Sequence, residues 1–313
     1  MDYKTILNRA SDLLKNFSIK KTRLDSELLL SSSLKISRES LLLNLNKEIK
    51  LNENKKFKLL LEKRAKKMPV AYILGYKDFW KSKFLVNNSV LIPRPETELI
   101  VEESLNYLPK SRYKKILDIG TGSGCILISI LLERPKSIGV GLDISKNAIK
   151  IARINAKLQH VYNRIKFVNT NVDKYNSDKY DLVVSNPPYI ERIKVSRLEE
   201  DIRNFEPKLA LDGGNDGYSK IEKVIKKSTK LLKRNGNLIL EIGYDQFSYV
   251  SRLLEKYGFY IKKISKDLSK KNRCVVAQNV KLWTVIKIII KEIDLDRMEI
   301  EILEKEMENQ RNL

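Results

Sequence analysis

The chain holds only two cysteines, one histidine and two tryptophans among its 313 residues. Cys125 and Cys274 lie far apart in sequence, and with His160 as the lone imidazole they cannot compose a zinc cluster, so no metal site is expected. Both cysteines sit in apolar runs, CILISILL and RCVVA, and read as small buried core residues rather than as a nucleophile or a disulfide. No uninterrupted apolar stretch is long enough to span a bilayer. The N-terminus, MDYKTILNRASDLLKN, lacks the apolar run and small-residue cleavage site of a signal peptide. These absences point to a soluble, cytoplasmic protein, and a monomer is expected. Negative charge is scarce too: 39 acidic side chains face 61 basic ones, a net charge of +22. Such an excess attracts polyanions. It is mostly lysine, however, spread along the whole chain beside abundant asparagine and isoleucine, as AT-rich codon usage alone produces. A solvated lysine-rich surface and a weak attraction for nucleic acid, as in docking on a ribosomal complex, both stay open.

What is present divides the chain into four parts. Over 1–85 apolar residues recur at helical spacing: Ile6, Leu7, Ala10, Leu13 and Leu14 first, then the runs after Asp25, Glu39 and Phe57. Four or five helices in a small bundle are predicted. Between 69 and 95 the helical period gives way to aromatic and β-branched residues. Asn87-Asn88 reads as the turn of a β-hairpin, and Pro93 and Pro95 stiffen the chain beyond it, so 86–95 is assigned as a hairpin linker. From 96 to 280 strand-like runs such as KKILDIG, SIGVGLDI, RIKFVNTNV, YDLVVS and NGNLILEIG alternate with helical ones. The last pair, YIKKISKDL and RCVVAQN, reads as an antiparallel edge. This alternation predicts a seven-stranded, mostly parallel sheet covered on both faces, an α/β fold of the Rossmann-like kind. Residues 281–313 form an extension, apolar and lysine-broken at first, then acidic and helical in pattern. A docking helix and a weakly ordered appendage are equally compatible with it.

Two strand ends carry the chemistry. The first is Asp118-Ile-Gly-Thr-Gly-Ser-Gly124, between an apolar strand and a helix. Glycine allows a sharp turn and close approach of a ligand, and the helix N-terminus offers free amide donors. The spacing is G-x-G-x-G, not the G-x-G-x-x-G of dinucleotide folds. About twenty residues on, Asp143 ends the second strand, where a carboxylate can accept from both ribose hydroxyls. A competing reading has it cap the following helix, a role for which Ser145 also competes. Gly120, Thr121, Gly122, Ser123, Gly124 and Asp143 together suit a nucleoside cofactor, and the order of elements favours S-adenosylmethionine over a nicotinamide. Asn171-Val172 follows the third strand, where such folds line an adenine pocket. Val172 is taken as the contact, although the choice between the two residues is open.

The second strand end is Ser185-Asn186-Pro187-Pro188-Tyr189-Ile190, after the fourth strand. A planar amide nitrogen is a poor nucleophile, because its lone pair is delocalised. To react it must be held in line with acceptors on its hydrogens. The Asn186 side-chain oxygen and a carbonyl of Pro187-Pro188 can supply these. The prolines stiffen the loop and bring no competing N–H, and Tyr189 offers a flat face for stacking. Positioning, rather than a strong base, would do the catalysis.

With these residues assembled, the chain over roughly 20–278 resembles the HemK/PrmC family, the release factor glutamine methyltransferases. The resemblance rests on PVAYILGYKDFWKSKF, VLIPRPETELIVEESL, LDIGTGSGCI, SNPPYI, FEPKLALDGGNDGY and LEIGYDQ. It implies a class I methyltransferase domain and transfer from S-adenosylmethionine to the glutamine of a Gly-Gly-Gln loop in peptide chain release factors. It also implies that the helical domain recognises the factor. By position it makes Gly120 to Gly124 and Asp143 cofactor ligands, and Asn186 a contact of cofactor and glutamine alike. Pro187, Pro188 and Tyr189 would hold the glutamine with it, and Arg94 and Glu96 would line the approach. For these last two a salt bridge or a helix N-terminal charge is the competing reading. Glu206-Pro207 would shape the rim. Asn-Pro-Pro-Tyr is shared with enzymes that methylate adenine N6 of DNA or RNA, and the positive charge suits them. Against that rival, there is no second domain large enough to read bases and no zinc or helix-turn-helix signature. A basic RNA-binding protein that keeps only the fold is the non-enzymatic alternative.

Overall fold

The computed structural model describes residues 1–177 and 179–280. The expectations for 281–313 lie outside the described residues. Five helices open the chain: α1 (Tyr3–Asn16), α2 (Thr22–Leu34), α3 (Arg38–Leu43), α4 (Leu51–Ala65) and α5 (Val70–Leu74). Their entry points are chemically marked. The Asp2 carboxylate accepts from the Thr5 amide at 2.7 Å at the start of α1, and Ser37 caps α3 through the Ser40 amide at 3.1 Å. Of the expected apolar stripe, Ile6, Leu7, Ala10 and Leu14 build the bundle core with Leu29, Leu30, Leu41, Phe57 and Leu61, while Leu13 is exposed.

A hairpin follows, made of β1 (Tyr76–Phe79) and β2 (Ser82–Leu85). It corrects the assignment of 86–95. The chain reverses at Trp80-Lys81, not at Asn87-Asn88, and Trp80 takes a left-handed φ of 55°. Asn87 does turn the backbone, with the Val90 amide donating to its carbonyl at 3.1 Å, but no strand follows. The reason is tertiary. The Trp80 amide donates to Glu98 at 2.7 Å and its indole N–H to Glu133 at 3.1 Å. Those contacts hold a conformation that turn chemistry normally assigns to glycine or asparagine.

The rest alternates as expected. The elements are α6 (Glu98–Tyr107), β3 (Lys115–Ile119), α7 (Cys125–Glu133), β4 (Ile138–Asp143), α8 (Lys146–Leu158), β5 (Ile165–Asn169) and β6 (Tyr180–Ser185). Then come α9 (Arg192–Val195), α10 (Glu200–Phe205), α11 (Ser219–Leu231), β7 (Leu232–Glu241), α12 (Phe247–Lys256), β8 (Phe259–Lys266) and β9 (Asn272–Asn279). The seven-stranded sheet has the order β5-β4-β3-β6-β7-β9-β8. Its first five strands are parallel, and β9 runs antiparallel to both neighbours. Side chains alternate across it. Ile116, Leu182, Val184 and Ile239 face α6, α7 and α8, while Leu117, Val183, Leu238 and Leu240 face α11 and α12. Both cysteines are buried and unpaired, and burial pushes the Cys125 thiol up to about 12, as an inert core residue requires. Among the described residues no helix is long and apolar enough to cross a membrane, and no cluster suits a metal ion.

The short helices α9 and α10 were not legible in the sequence, and α10 ties the bundle to the sheet domain. Arg64 on α4 is buried; it donates to Asp25 at 2.7 Å and lies 3.7 Å from Asp201 on α10. Burial raises the Asp25 carboxyl more than Arg64 lowers it. The pair therefore fixes geometry more than it adds stability. Replacing Arg64 alone strands the Asp25 charge. Arg64→Met is expected to cost about 3 kcal/mol in urea unfolding, and Arg64→Met with Asp25→Leu to recover most of it.

Candidate active site

Strands β3 and β6 are neighbours, with Ile119 opposite Ser185, so the loops leaving their carboxyl ends start side by side. The Ser185 hydroxyl locks them together by donating to the Ile119 carbonyl at 2.7 Å. Between the loops opens a cavity of about 550 Å³, within the usual range for small-molecule sites. Gly120 to Ser123, Asp143, Val172, Asn186, Pro187, Pro188 and Arg94 all border it.

The glycine loop turns left-handed at residues 120, 122 and 124. Gly124 is also a packing requirement: a Cβ there would stand 2.9 Å from the Ile128 side chain and 3.3 Å from that of Ala152. Asn155, fully buried on α8, braces the loop by donating to the Ser123 carbonyl at 2.9 Å, while its oxygen accepts from the Leu85 amide of the hairpin at 2.7 Å. Asp143 receives the Gly122 amide at 2.9 Å on one oxygen and the Ser145 amide at 2.8 Å on the other. The cap of α8 is Ser145, which accepts from the Ala148 amide at 3.2 Å. That settles the competition noted above: Asp143 is not the cap, and its remaining lone pairs face the cavity wall. Asn171 and Val172 both line the cavity, but the Asn171 oxygen is already engaged by the Asp173 amide at 3.0 Å. Ile144, an exposed apolar residue beside Asp143, is a further wall that the sequence reading missed.

The loop after β6 is braced from behind. Gln246 donates to the Tyr189 carbonyl at 3.1 Å, and the Gly213 amide donates to the Ile190 carbonyl at 2.8 Å. Gly217 must lack a side chain: a Cβ would come within 2.7 Å of the Tyr189 carbonyl oxygen, at a φ of 77°. This accounts physically for the last glycine of LDGGNDGY. Tyr189 borders a smaller cavity of about 130 Å³, shared with Asn186, Pro187, Pro188, Leu198 and Ile202. Burial, then the nearby Glu241 carboxylate, push its phenol well up, which removes it as a base.

Arg94 lines both cavities while paired with buried Glu206, so the salt-bridge reading and the site reading hold together. Glu96 is not brought in. It is exposed and outside both cavity walls, because the Pro95–Thr97 turn is a 3-10 helix whose next residue, Thr97, points inward instead. Thr97 was missed from sequence. It accepts from the Asn186 side-chain amide at 3.0 Å and donates to Glu241 at 2.7 Å. Glu241 is buried, and burial lifts its carboxyl to about 7 against the pull of Thr97 and Arg273.

Residues 5–75 match the PrmC N-terminal domain family, and residues 97–203 match the methyltransferase small domain family. A methyltransferase from Pyrococcus furiosus shares the fold, with a TM-score of 0.50 at 14% identity over 73% of this chain and 99% of that one. The fold and its two strand-end loops define a class I methyltransferase. The release factor glutamine methyltransferase of Caulobacter vibrioides is 38% identical over 268 residues, covering 85% of this chain and 93% of its own. That of Clostridium acetobutylicum is 37% identical over 280 residues, covering 88% and 98%. The chain belongs to the release factor glutamine methyltransferase family. It also matches the bifunctional methyltransferase of Rickettsia typhi, 36% identical over 298 residues, but spans only 58% of that protein's length.

Beneath the glycine loop, Asp118 is fully buried; one oxygen accepts from Thr121 at 2.7 Å and the other has no partner. Burial raises its carboxyl from 3.8 to about 7, with Asp143 adding to the rise. Folded protein thus keeps this proton where the unfolded chain has lost it. The stability it contributes is complete below pH 3.8 and is lost as pH rises through about 7. Glu241 acts in the same sense. Asp118→Asn should therefore reduce the fall of Tm between about pH 5 and pH 8, as read by thermal unfolding.

Proposed function

We propose that this chain transfers the methyl group of S-adenosylmethionine to the side-chain amide nitrogen of the glutamine in the Gly-Gly-Gln loop of peptide chain release factors. The observation that carries the reading is a single cavity bounded by the glycine loop and Asp143 on one side and by Asn186-Pro187-Pro188 on the other. Family membership supports it, as does the match of the helical region to the PrmC N-terminal domain. Within this reading the helical domain, residues 1–85, recognises the factor, and residues 96–280 carry catalysis. Because release factors work on ribosomes, the cytoplasm is the expected compartment, and the +22 charge helps approach to a ribosomal complex.

The residues present fit the cofactor. A Cβ built on Gly120 would meet open space, so the loop leaves room for close approach. Gly120 to Ser123 would cradle its amino-acid portion, with Gly124 behind them letting the loop pack on α7 and α8; Asp143 would accept from the ribose hydroxyls, and Val172 with Ile144 would flank the adenine. Bound S-adenosylmethionine supplies an electrophilic methyl group on a sulfonium. The chain's own work is orientation. Asn186 Oδ1 accepts one hydrogen of the target amide and the Pro187 carbonyl the other, which aims the nitrogen lone pair into the larger cavity. Tyr189 packs on the planar amide, and Leu198 and Ile202 exclude water. As the new N–C bond would form, the S–C bond to the sulfonium would break and leave a neutral thioether, and the methylated nitrogen, now cationic and acidic, would lose its proton on leaving the site, so no strong base is needed.

The test uses radiolabelled methyl donor and three substrates: a release factor, its Gln→Ala variant in the Gly-Gly-Gln loop, and adenine-containing DNA or RNA. Label on the wild-type factor alone is expected. Label on nucleic acid would move the enzyme to the adenine class and give the basic surface a role in binding. Asn186→Ala should lose transfer by about 100-fold or more while keeping cofactor affinity, and Asp143→Ala should weaken cofactor binding in equilibrium titration.

A further inference from the structure

An asparagine side chain has two chemically opposite ends, and only its oxygen can receive the hydrogens of a target amide. The structure shows what decides which end faces the cavity. The Asn186 amide nitrogen donates to Thr97 Oγ1 at 3.0 Å, and Thr97 Oγ1 donates to Glu241 Oε2 at 2.7 Å. The second carboxylate oxygen of Glu241 receives the Tyr189 hydroxyl at 3.3 Å. Thr97 is 3% exposed and Glu241 2%, so solvent does not compete for these bonds. A hydroxyl has one proton, and the Glu241 carboxyl, once it has lost its own as pH rises through about 7, has none to give. With Glu241 as an acceptor, the Thr97 proton is spent on it, and Thr97 has only lone pairs left for Asn186. The amide must then turn its NH2 toward Thr97 and its oxygen away, toward the cavities that Asn186 borders. Without Glu241, the Thr97 hydroxyl is free to donate to the Asn186 oxygen. The amide can then flip and present N–H groups to a substrate that itself offers only N–H groups there.

We propose that Thr97 and Glu241 are positioning residues that fix the orientation of the Asn186 amide, so that its oxygen meets the hydrogens of the methylated nitrogen. This rests on the reading of Asn186 as the acceptor for the target amide. Glu241 holds both sides of the same pocket, through Thr97 to Asn186 and directly to Tyr189, from the end of β7, the strand beside β6. A carboxylate buried at that strand end has no other evident work, since Arg273, whose charge acts on it, is already paired with Asp267 at 3.1 Å.

The experiment compares full-length wild type, Thr97→Val, Thr97→Ser, Glu241→Met and Asn186→Ala. For each, steady-state kcat and KM toward a release factor are measured, with cofactor affinity by titration and folding by thermal unfolding. Thr97→Val and Glu241→Met are expected to lower kcat by about 10–100-fold, with KM and cofactor affinity unchanged. Thr97→Ser, which keeps the hydroxyl, should restore kcat. If Glu241→Met does not fold, Thr97→Val decides alone, since it exchanges only a hydroxyl for a methyl. Wild-type kcat in Thr97→Val beside an impaired Asn186→Ala would overturn the positioning role and leave the acceptor role standing. A Thr97→Ser variant as slow as Thr97→Val would overturn it too, because packing and not the hydroxyl would then matter. Undiminished kcat in Asn186→Ala would instead overturn the acceptor reading on which the proposal stands.

Discussion

The hydrogen bond from the Ser185 hydroxyl to the Ile119 carbonyl joins the two central strands of the sheet at their carboxyl ends. Both functional loops begin there. In a parallel α/β sheet, strands that leave in opposite directions around the sheet open a crevice between their loops. Here β3 leads to β4 on one side and β6 to β7 on the other, so the crevice lies between Gly120 and Asn186. Everything else either holds a wall of that crevice or closes it. Asn155 braces the glycine loop from α8, Gln246 and the glycines at 213 and 217 brace the loop after β6, and Arg94 with Glu206 shapes the rim.

The walls differ in chemistry because they do different work. Around the glycine loop, backbone donors face a carboxylate: Asp143 takes two amides and keeps spare lone pairs at the cavity wall. On the opposite wall the groups are neutral: an amide, two prolines and a phenol that burial keeps protonated. A cationic cofactor and a neutral amide substrate are complementary to these two walls in turn.

Much of this was legible in the sequence because it is local. The alternation of strands with helices gave the sheet, and the G-x-G-x-G turn, Asp143 and Asn186-Pro187-Pro188 each announce themselves within a few residues. The structure adds what is not local. Thr97 meets Asn186 across 89 residues and Glu241 across 144, and no periodicity encodes such a pairing. Glu96 follows from the family resemblance by position, whereas the 3-10 turn of Pro95–Thr97 leaves Glu96 exposed and points Thr97 inward. The hairpin was displaced for a similar reason. Asn87-Asn88 has turn chemistry, but Trp80 is forced to turn by its bonds to Glu98 and Glu133, which sequence does not reveal. The helices α9 and α10 are too short for a helical period to register.

The central claim is that one cavity presents a methyl donor and a glutamine amide to each other across these two loops. The most direct measurement is a crystal structure with S-adenosylhomocysteine and a Gly-Gly-Gln peptide. The expected result is the ribose on Asp143, the sulfur facing the smaller cavity, and the glutamine nitrogen within hydrogen-bond reach of Asn186 Oδ1 and the Pro187 carbonyl. A peptide bound elsewhere, or a glutamine whose amide oxygen rather than nitrogen meets Asn186, would contradict it.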